Sequence, residues 1–279
     1  SNIMGQVVFS VEVSKAAVGG LAETKDAVDV GTTVLNAYGK SASEIGNVFD
    51  IIFTTVRLGK TTFPELASSL GNVVTNASQA GIAFEEVGAA MAQLTKVGIN
   101  SKKSSVALRG ALVSIVSPTE KAKKAAEKYG IVMRGSLVNI VGQISKSMGQ
   151  MSKKYGENTE ASKKAGAAMV AGLFPNKRAQ IAISALAQHF DEFEGMVGDM
   201  YNSVGAAETA YKIMAKTFEA KSKIIKNQFS VITQTVGQEL LPVFSDMQDD
   251  MITNGNLFLK LGKGIEIFGY IMKKRYLVF

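Results

Sequence analysis

Between Ser41 and Gly130 the sequence repeats one local pattern: a helix-starting signal, an apolar stripe at helical spacing, then a glycine. Ser41-Ala42-Ser43-Glu44 spells a capping box, in which the serine hydroxyl accepts from the N3 amide and the glutamate reaches back to the first amide. Ile45, Val48, Phe49, Ile52 and Val56 follow on one stripe, and Gly59 is placed to end the helix in the left-handed conformation. Thr62-Phe63-Pro64-Glu65 repeats the signal, with Pro64 in the first turn, where a missing N–H costs nothing. Phe63, Leu66, Leu70, Val73 and Ala77 form its stripe before Gly81. Val87, Met91, Leu94 and Val97 precede Gly98, and Asn100 caps a helix carrying Leu108, Ala111, Leu112 and Ile115. Ser117-Pro118-Thr119-Glu120 reads as N-cap, proline at N1 and glutamate at N3 of a lysine-rich helix ending at Gly130. The spacing predicts helices at 42–58, 63–80, 84–97, 101–116 and 118–129, with an earlier one over 24–38 closed by Gly39. No such short helix can bury its stripe alone, so the helices must fold back on one another.

The expected fold is therefore all-α: an irregular multi-helix globule of short amphipathic helices followed by a longer helix. Few prolines (4) and 46% hydrophobic residues agree with that, and the 27 glycines belong mostly at helix ends. Only Gln6 to Val13 alternates as a strand would, and it reads as a truncated helix or a tail. Four segments are expected: a helical core at 1–130, a loosely ordered basic connector at 131–175, a second helical part at 176–250, and the start of an amphipathic helix at 251–279. Within the connector, Lys146 to Lys164 reads as an exposed hairpin or mobile segment, with methionines where firm core residues would stand. Asn176 caps a helix in which Ile181, Ala185, Leu186, His189 and Phe193 are periodic, and a long helix is expected from Ala206 to Leu241.

Chemistry is hard to find in this chain. With no cysteine there is no disulfide, thiolate nucleophile or cysteine-ligated metal, and a single histidine rules out a His-rich zinc site. His189 and Asp191 are two apart and diverge on a helix, so the histidine reads as structural. Glu85-Glu86 and Asp249-Asp250 are adjacent pairs that diverge likewise, and no glycine lies in a phosphate-binding fingerprint. No catalytic, cofactor-binding or metal-binding residue is assigned, no cofactor is expected, and the chain does not read as an enzyme. Ser1 to Val11 carries no secretory signal. No window of ~18 uncharged apolar residues suggests a membrane span.

The net charge of +7 is unevenly spread: Lys121 to Arg178 is basic, whereas Glu239, Asp246, Asp249 and Asp250 make a later stretch acidic. The basic middle lacks interleaved aromatics for stacking single strands and reads as solvated helix faces, with no specific nucleic acid as partner. Towards the end, Phe258, Leu261, Ile265, Phe268 and Met272 form an apolar stripe complemented by Lys260, Lys263, Lys273, Lys274 and Arg275. That pattern suits either an anionic bilayer surface or the start of a core helix whose partners lie beyond Phe279.

Several motifs resemble the core region of phage tail tape measure proteins: AVGG at Ala17 to Gly20, LNAYG at Leu35 to Gly39, SASE at Ser41 to Glu44, LGKTTFPELA at Leu58 to Ala67 and SPTEKAKKAAEKYG at Ser117 to Gly130. A second patch runs from GLFPNKRA at Gly172 to Ala179 through ELLPVF at Glu239 to Phe244. Agreement is weak between Val132 and Ala171. None of these motifs is catalytic. The resemblance implies a virion structural protein of the tail, made in the host cytoplasm and enclosed in the tube lumen, where it takes part in tail assembly and length determination. It implies the tail tube protein, tail assembly chaperones, distal tail or tip proteins and further copies of the chain as partners. Host membrane contact on release from the tail is the alternative role. The chain reads as a truncated domain of such a protein, since 279 helical residues would span only ~420 Å. A compact globule of this length has a radius of gyration of about 19 Å, so confinement in a tube implies a fold that opens readily.

Overall fold

The computed structural model describes residues 3–217, which lie within one compact unit, Ser1–Lys216, apart from the last residue. Among the described residues there are thirteen α-helices, one 3-10 turn and no strand, so the all-α class holds. In chain order the first seven helices are α1 (Ile3–Gly19), α2 (Thr24–Tyr38), α3 (Ile45–Leu58), α4 (Phe63–Leu70), α5 (Val74–Gln79), α6 (Phe84–Lys96) and α7 (Ser101–Val116). They are followed by α8 (Glu120–Tyr129), α9 (Leu137–Tyr155), α10 (Glu160–Leu173), α11 (Lys177–Gln188), α12 (Phe190–Tyr201) and α13 (Ala206–Ala215). The 3-10 turn, Ala42–Glu44, leads into α3.

The local signals mostly act as the sequence suggests. The Thr62 amide donates to Glu65 Oε2 at 3.3 Å and Glu65 N–H donates to Thr62 Oγ1 at 3.4 Å, closing the capping box of α4. Asn100, Thr159 and Asn176 cap α7, α10 and α11 through side-chain oxygens. Two details differ. The 63–80 helix is two helices, because Gly71-Asn72, both poor helix formers, yield to a tight turn in which Asn72 and Val73 donate to Ser69 and Leu70 carbonyls. That turn carries Val73 and Val74 into the core together. Second, α8 starts at Glu120 with Thr119 as its N-cap, two residues later than expected. Ser117 is already occupied in closing α7, its amide donating to Val113 O.

One apolar core runs from Val13 to Ala207. Its centre is α6, buried continuously from Glu86 to Thr95 and packed against α3, α5, α7, α11 and α12. A helix surrounded on all sides cannot be amphipathic, and FEEVGAAMAQLTK accordingly carries no charge between Glu86 and Lys96. Its small residues set the spacing: a Cβ at Gly88 would meet Thr55 Oγ1 at 2.8 Å and Ile51 Cγ2 at 3.0 Å. Gly59 serves the same purpose from the other side. It ends α3 in an extended conformation (φ −94°), not the left-handed one expected, and a Cβ there would lie 2.5 Å from Thr95 Oγ1. The glycine is needed for close approach of two helices, a constraint with no local signature.

Residues 6–13 are helical, one of the two readings the sequence allowed: Val13, Ala16 and Ala17 anchor α1 on the core and leave Val7, Val8 and Val11 exposed. The other departures share a cause: partners distant in sequence. Where a loosely ordered connector was expected at 131–175, α9 and α10 form a helical hairpin turning at 156–159. Leu137, Ile140, Val141 and Ile144 from α9, and Met169, Val170 and Leu173 from α10, join the same core as α3 and α6. The exposed stretch around 146–164 is the far end of that hairpin, with Met148 and Met151 packed only partly. The periodic helix through His189 also breaks there, His189 standing between α11 and α12, and Ile181 is exposed. Ala179, Ala182, Ile183 and Leu186 supply the buried face in its place. The long helix expected to run to Leu241 is described only as α13, and the rest of 176–250, with all of 251–279, lies outside the described residues.

Candidate functional site

The titratable groups show what the fold can do. His189 is half exposed, with Nδ1 3.8 Å from Glu192 Oε1, while Glu192 is itself paired to Lys96 at 2.7 Å. Its neighbours Glu192 and Lys96 form an ion pair on the surface. Among the described residues no group of His, Cys, Asp and Glu is arranged to hold a metal ion.

The acids buried in this unit are engaged in holding helices. Glu86, 3% exposed in the first turn of α6, receives the Ala83 amide on Oε2 (3.4 Å) and the Val138 amide on Oε1 (2.9 Å). One carboxylate thus caps its own helix and the N-terminus of α9, 52 residues on. Asp50, 8% exposed on α3, receives the Gly205 amide on Oδ2 (3.0 Å) and the Ala207 amide on Oδ1 (2.8 Å). It supplies the cap that Gly205, with φ +84° and no side chain, cannot give to α13. Both acids meet the positive end of a helix dipole as well as its orphan amides. Neither long-range role was visible in the sequence: Asp50 showed only as a carboxylate inside an apolar run, Val48-Phe49-Asp50-Ile51-Ile52-Phe53, and Glu86 only as an acid in a first helical turn.

An apolar groove of about 690 Å³ lies beside Asp50's helix, lined by Gly20, Phe53, Arg57, Phe63, Val204 and Ile213 among others. Phe63, which lines it, belongs to a ring cluster, at 5.1 Å from Phe53 and 6.2 Å from Phe49 between centroids.

Ion pairs on the surface and one buried phenol carry the shifted titrations. The Lys96 ammonium holds the Glu192 carboxyl below its usual range, the Ser41 amide does the same for Glu44, and Lys15 for Glu208. Burial pushes the Tyr38 phenol well up, its hydroxyl donating to Ile82 O at 3.0 Å. The signs follow from linkage. Carboxyls with lowered values stabilise at neutral pH, and that stability is lost as pH falls from about 4.5 through their folded values. A tyrosine with a raised value stabilises below its unfolded pKa of about 10, and that contribution is lost as pH rises beyond it. Chemical denaturation is therefore expected to give a flat midpoint between those limits and a fall on each side. On the alkaline side, phenolate absorbance should reveal a late-titrating tyrosine that Tyr38→Phe removes; an unchanged titration would contradict the burial.

What this geometry defines is an all-α scaffold whose charged groups join its parts. Residues 9–174, more than half of the chain, match the profile of phage-related minor tail proteins, and the chain belongs to that family. It is also 26% identical over 243 residues to the probable tape measure protein of Clostridium phage phiCD119. That alignment covers 79% of this chain and 23% of the relative, so the chain spans about a quarter of the relative's length. No solved structure matches. Membership puts the chain among the structural components of phage tails, and no helix among the described residues is long and apolar enough to cross a membrane. Among the described residues, three of the motifs that carry the resemblance sit at helix junctions: Leu35–Gly39 ends α2, Leu58–Ala67 joins α3 to α4, and Ser117–Gly130 spans α8 with both its ends; Glu239 to Phe244 lies outside the described residues.

Proposed function

We propose that this chain is a folded helical part of a tape measure protein that takes part in tail assembly and in setting tail length, without enzymatic activity. The observation that carries the reading is the alignment of 79% of the chain with a probable tape measure protein. The way the fold uses its polar groups supports it, since Asp50 and Glu86 are spent on capping helices. In this reading the partners are the tail tube protein, the tail assembly chaperones, distal tail or tip proteins and further copies of the chain. It acts in the host cytoplasm during assembly and in the tube lumen afterwards. A unit built of short packed helices contributes little length while folded, as its longest described helix, α9, has 19 residues and measures about 28 Å. Its contribution to a ruler therefore depends on opening, and four segments (1–130, 131–175, 176–250 and 251–279) would then act as successive parts of one path.

The test is an in-frame deletion of 9–174 in the phage or prophage that encodes the chain, with tails measured by negative-stain electron microscopy. Absent or shortened tails are expected. Tails of normal number and length would overturn the reading.

A further inference from the structure

We infer that α13 is a releasable strap, pinned to the unit by the Asp50 carboxylate and by the Lys15–Glu208 ion pair, and that it detaches while the α6-centred core stays folded. The inference rests on the proposed function only for its use: a chain that must pass from globule to extended form needs a defined place to start.

The first observation is how little apolar surface α13 commits. Its one buried residue is Ala207; Ala206 and Ala210 pack only partly, and Ile213 is 60% exposed. By contrast α6 is buried along nine successive positions from Val87 to Thr95. Burial of methyl groups on a few alanines holds a helix weakly compared with burial of whole branched or aromatic side chains. The second is the kind of contact that replaces it. Asp50 receives two amides from the first turn of α13, at 3.0 and 2.8 Å, and Lys15 of α1 reaches Glu208 at 2.8 Å. Polar pins of this kind are directional, so they are lost together when the helix swings away.

The third is imperfect packing beneath the helix. The apolar groove is lined by α13 on one side and by α3 and α4 on the other. Thr54, one turn along α3 from Asp50, lines it with a buried hydroxyl that has no partner among the described residues. The fourth is the approach of α1, where the site of a Gly19 Cβ lies only 3.0 Å from Tyr211 N and 3.3 Å from Ala210 C. At Gly19, then, α1 meets the backbone of α13 directly, and a side chain at that position would wedge the two helices apart. Immediately before the strap, Val204 is 85% exposed, and Gly205 is in the left-handed region with open space where a Cβ would lie, so the chain can turn there once the Asp50 bond is lost.

Hydrogen exchange of the whole chain, read by mass spectrometry, tests this without reference to tails, so its failure would leave the tail reading standing. In the unsubstituted protein, amides of 207–215 should exchange at least about tenfold faster than those of 87–95. Asp50→Asn, which keeps the shape and removes the charge, should accelerate 207–215 by a further factor of about ten and leave 87–95 unchanged. Gly19→Ala should do the same through the wedge while leaving α1 as protected as before. Equal protection of α13 and α6 would overturn the inference. So would loss of protection spread evenly over both helices, or an Asp50→Asn chain that fails to fold, since Asp50 would then hold the whole core and not the strap.

Discussion

Phe63→Ala is expected to cost about 3–5 kcal/mol, more than a surface change by an order of magnitude. Phe63 is 2% exposed and starts α4, where its ring closes the cluster with Phe49 and Phe53. Gly20 is fitted directly against it, a Cβ there meeting Phe63 Cγ at 2.6 Å, so the surrounding backbone already follows the shape of the ring. A site moulded by backbone collapses poorly when the ring is removed, which places the cost towards the upper part of the range. Urea unfolding followed by helical circular dichroism checks it, with a lowered midpoint at unchanged slope. A loss under about 1 kcal/mol would show that the ring cluster does not join α3 to α4 as described.

The second large effect is expected at Glu86. Glu86→Ala removes the acceptor for Val138 N–H and Ala83 N–H from a buried position, at a cost of about 2–4 kcal/mol. Glu86→Gln keeps one acceptor oxygen and should cost less than half as much. The loss should also be local in an informative way: the first turn of α9 frays, although Ser136 still accepts from Asn139 N–H at 3.2 Å. Exchange at 138–141 is therefore expected to rise in the alanine variant. If the glutamine variant were as damaging as the alanine one, the charge and not the hydrogen bonds would hold α9, and the tertiary cap would need another account.

These two residues also mark the border of what the sequence can tell. Phe63 was readable, as part of a Thr-Phe-Pro-Glu start signal and an apolar stripe, because both signals lie within one or two helical turns. Glu86 was readable only as a first-turn acid. Its second bond is to residue 138, and Asp50 reaches residues 205 and 207, so neither capping role has a local pattern. The same limit explains Gly59: its glycine stop was legible, but the reason for it, the passage of α6 at Thr95, was not. At 131–175 the chain spreads its core contribution thinly over the long α9–α10 hairpin, burying Leu137, Ile140, Val141 and Ile144 of α9 and leaving the Lys- and Ser-rich far half outside. Composition then resembles a connector although the backbone is helical. Helix type was thus set locally, while helix arrangement was set by small residues and buried carboxylates whose partners are far along the chain.

The family placement needs a physical counterpart in the particle. The most direct measurement is quantitative mass spectrometry of tails purified from the phage or prophage that encodes this chain. Peptides from the 9–174 region are expected in the intact tails, at a fixed ratio to the tube protein from one preparation to the next. Tails of normal composition that lack those peptides, with the chain found only in the unassembled fraction, would contradict it.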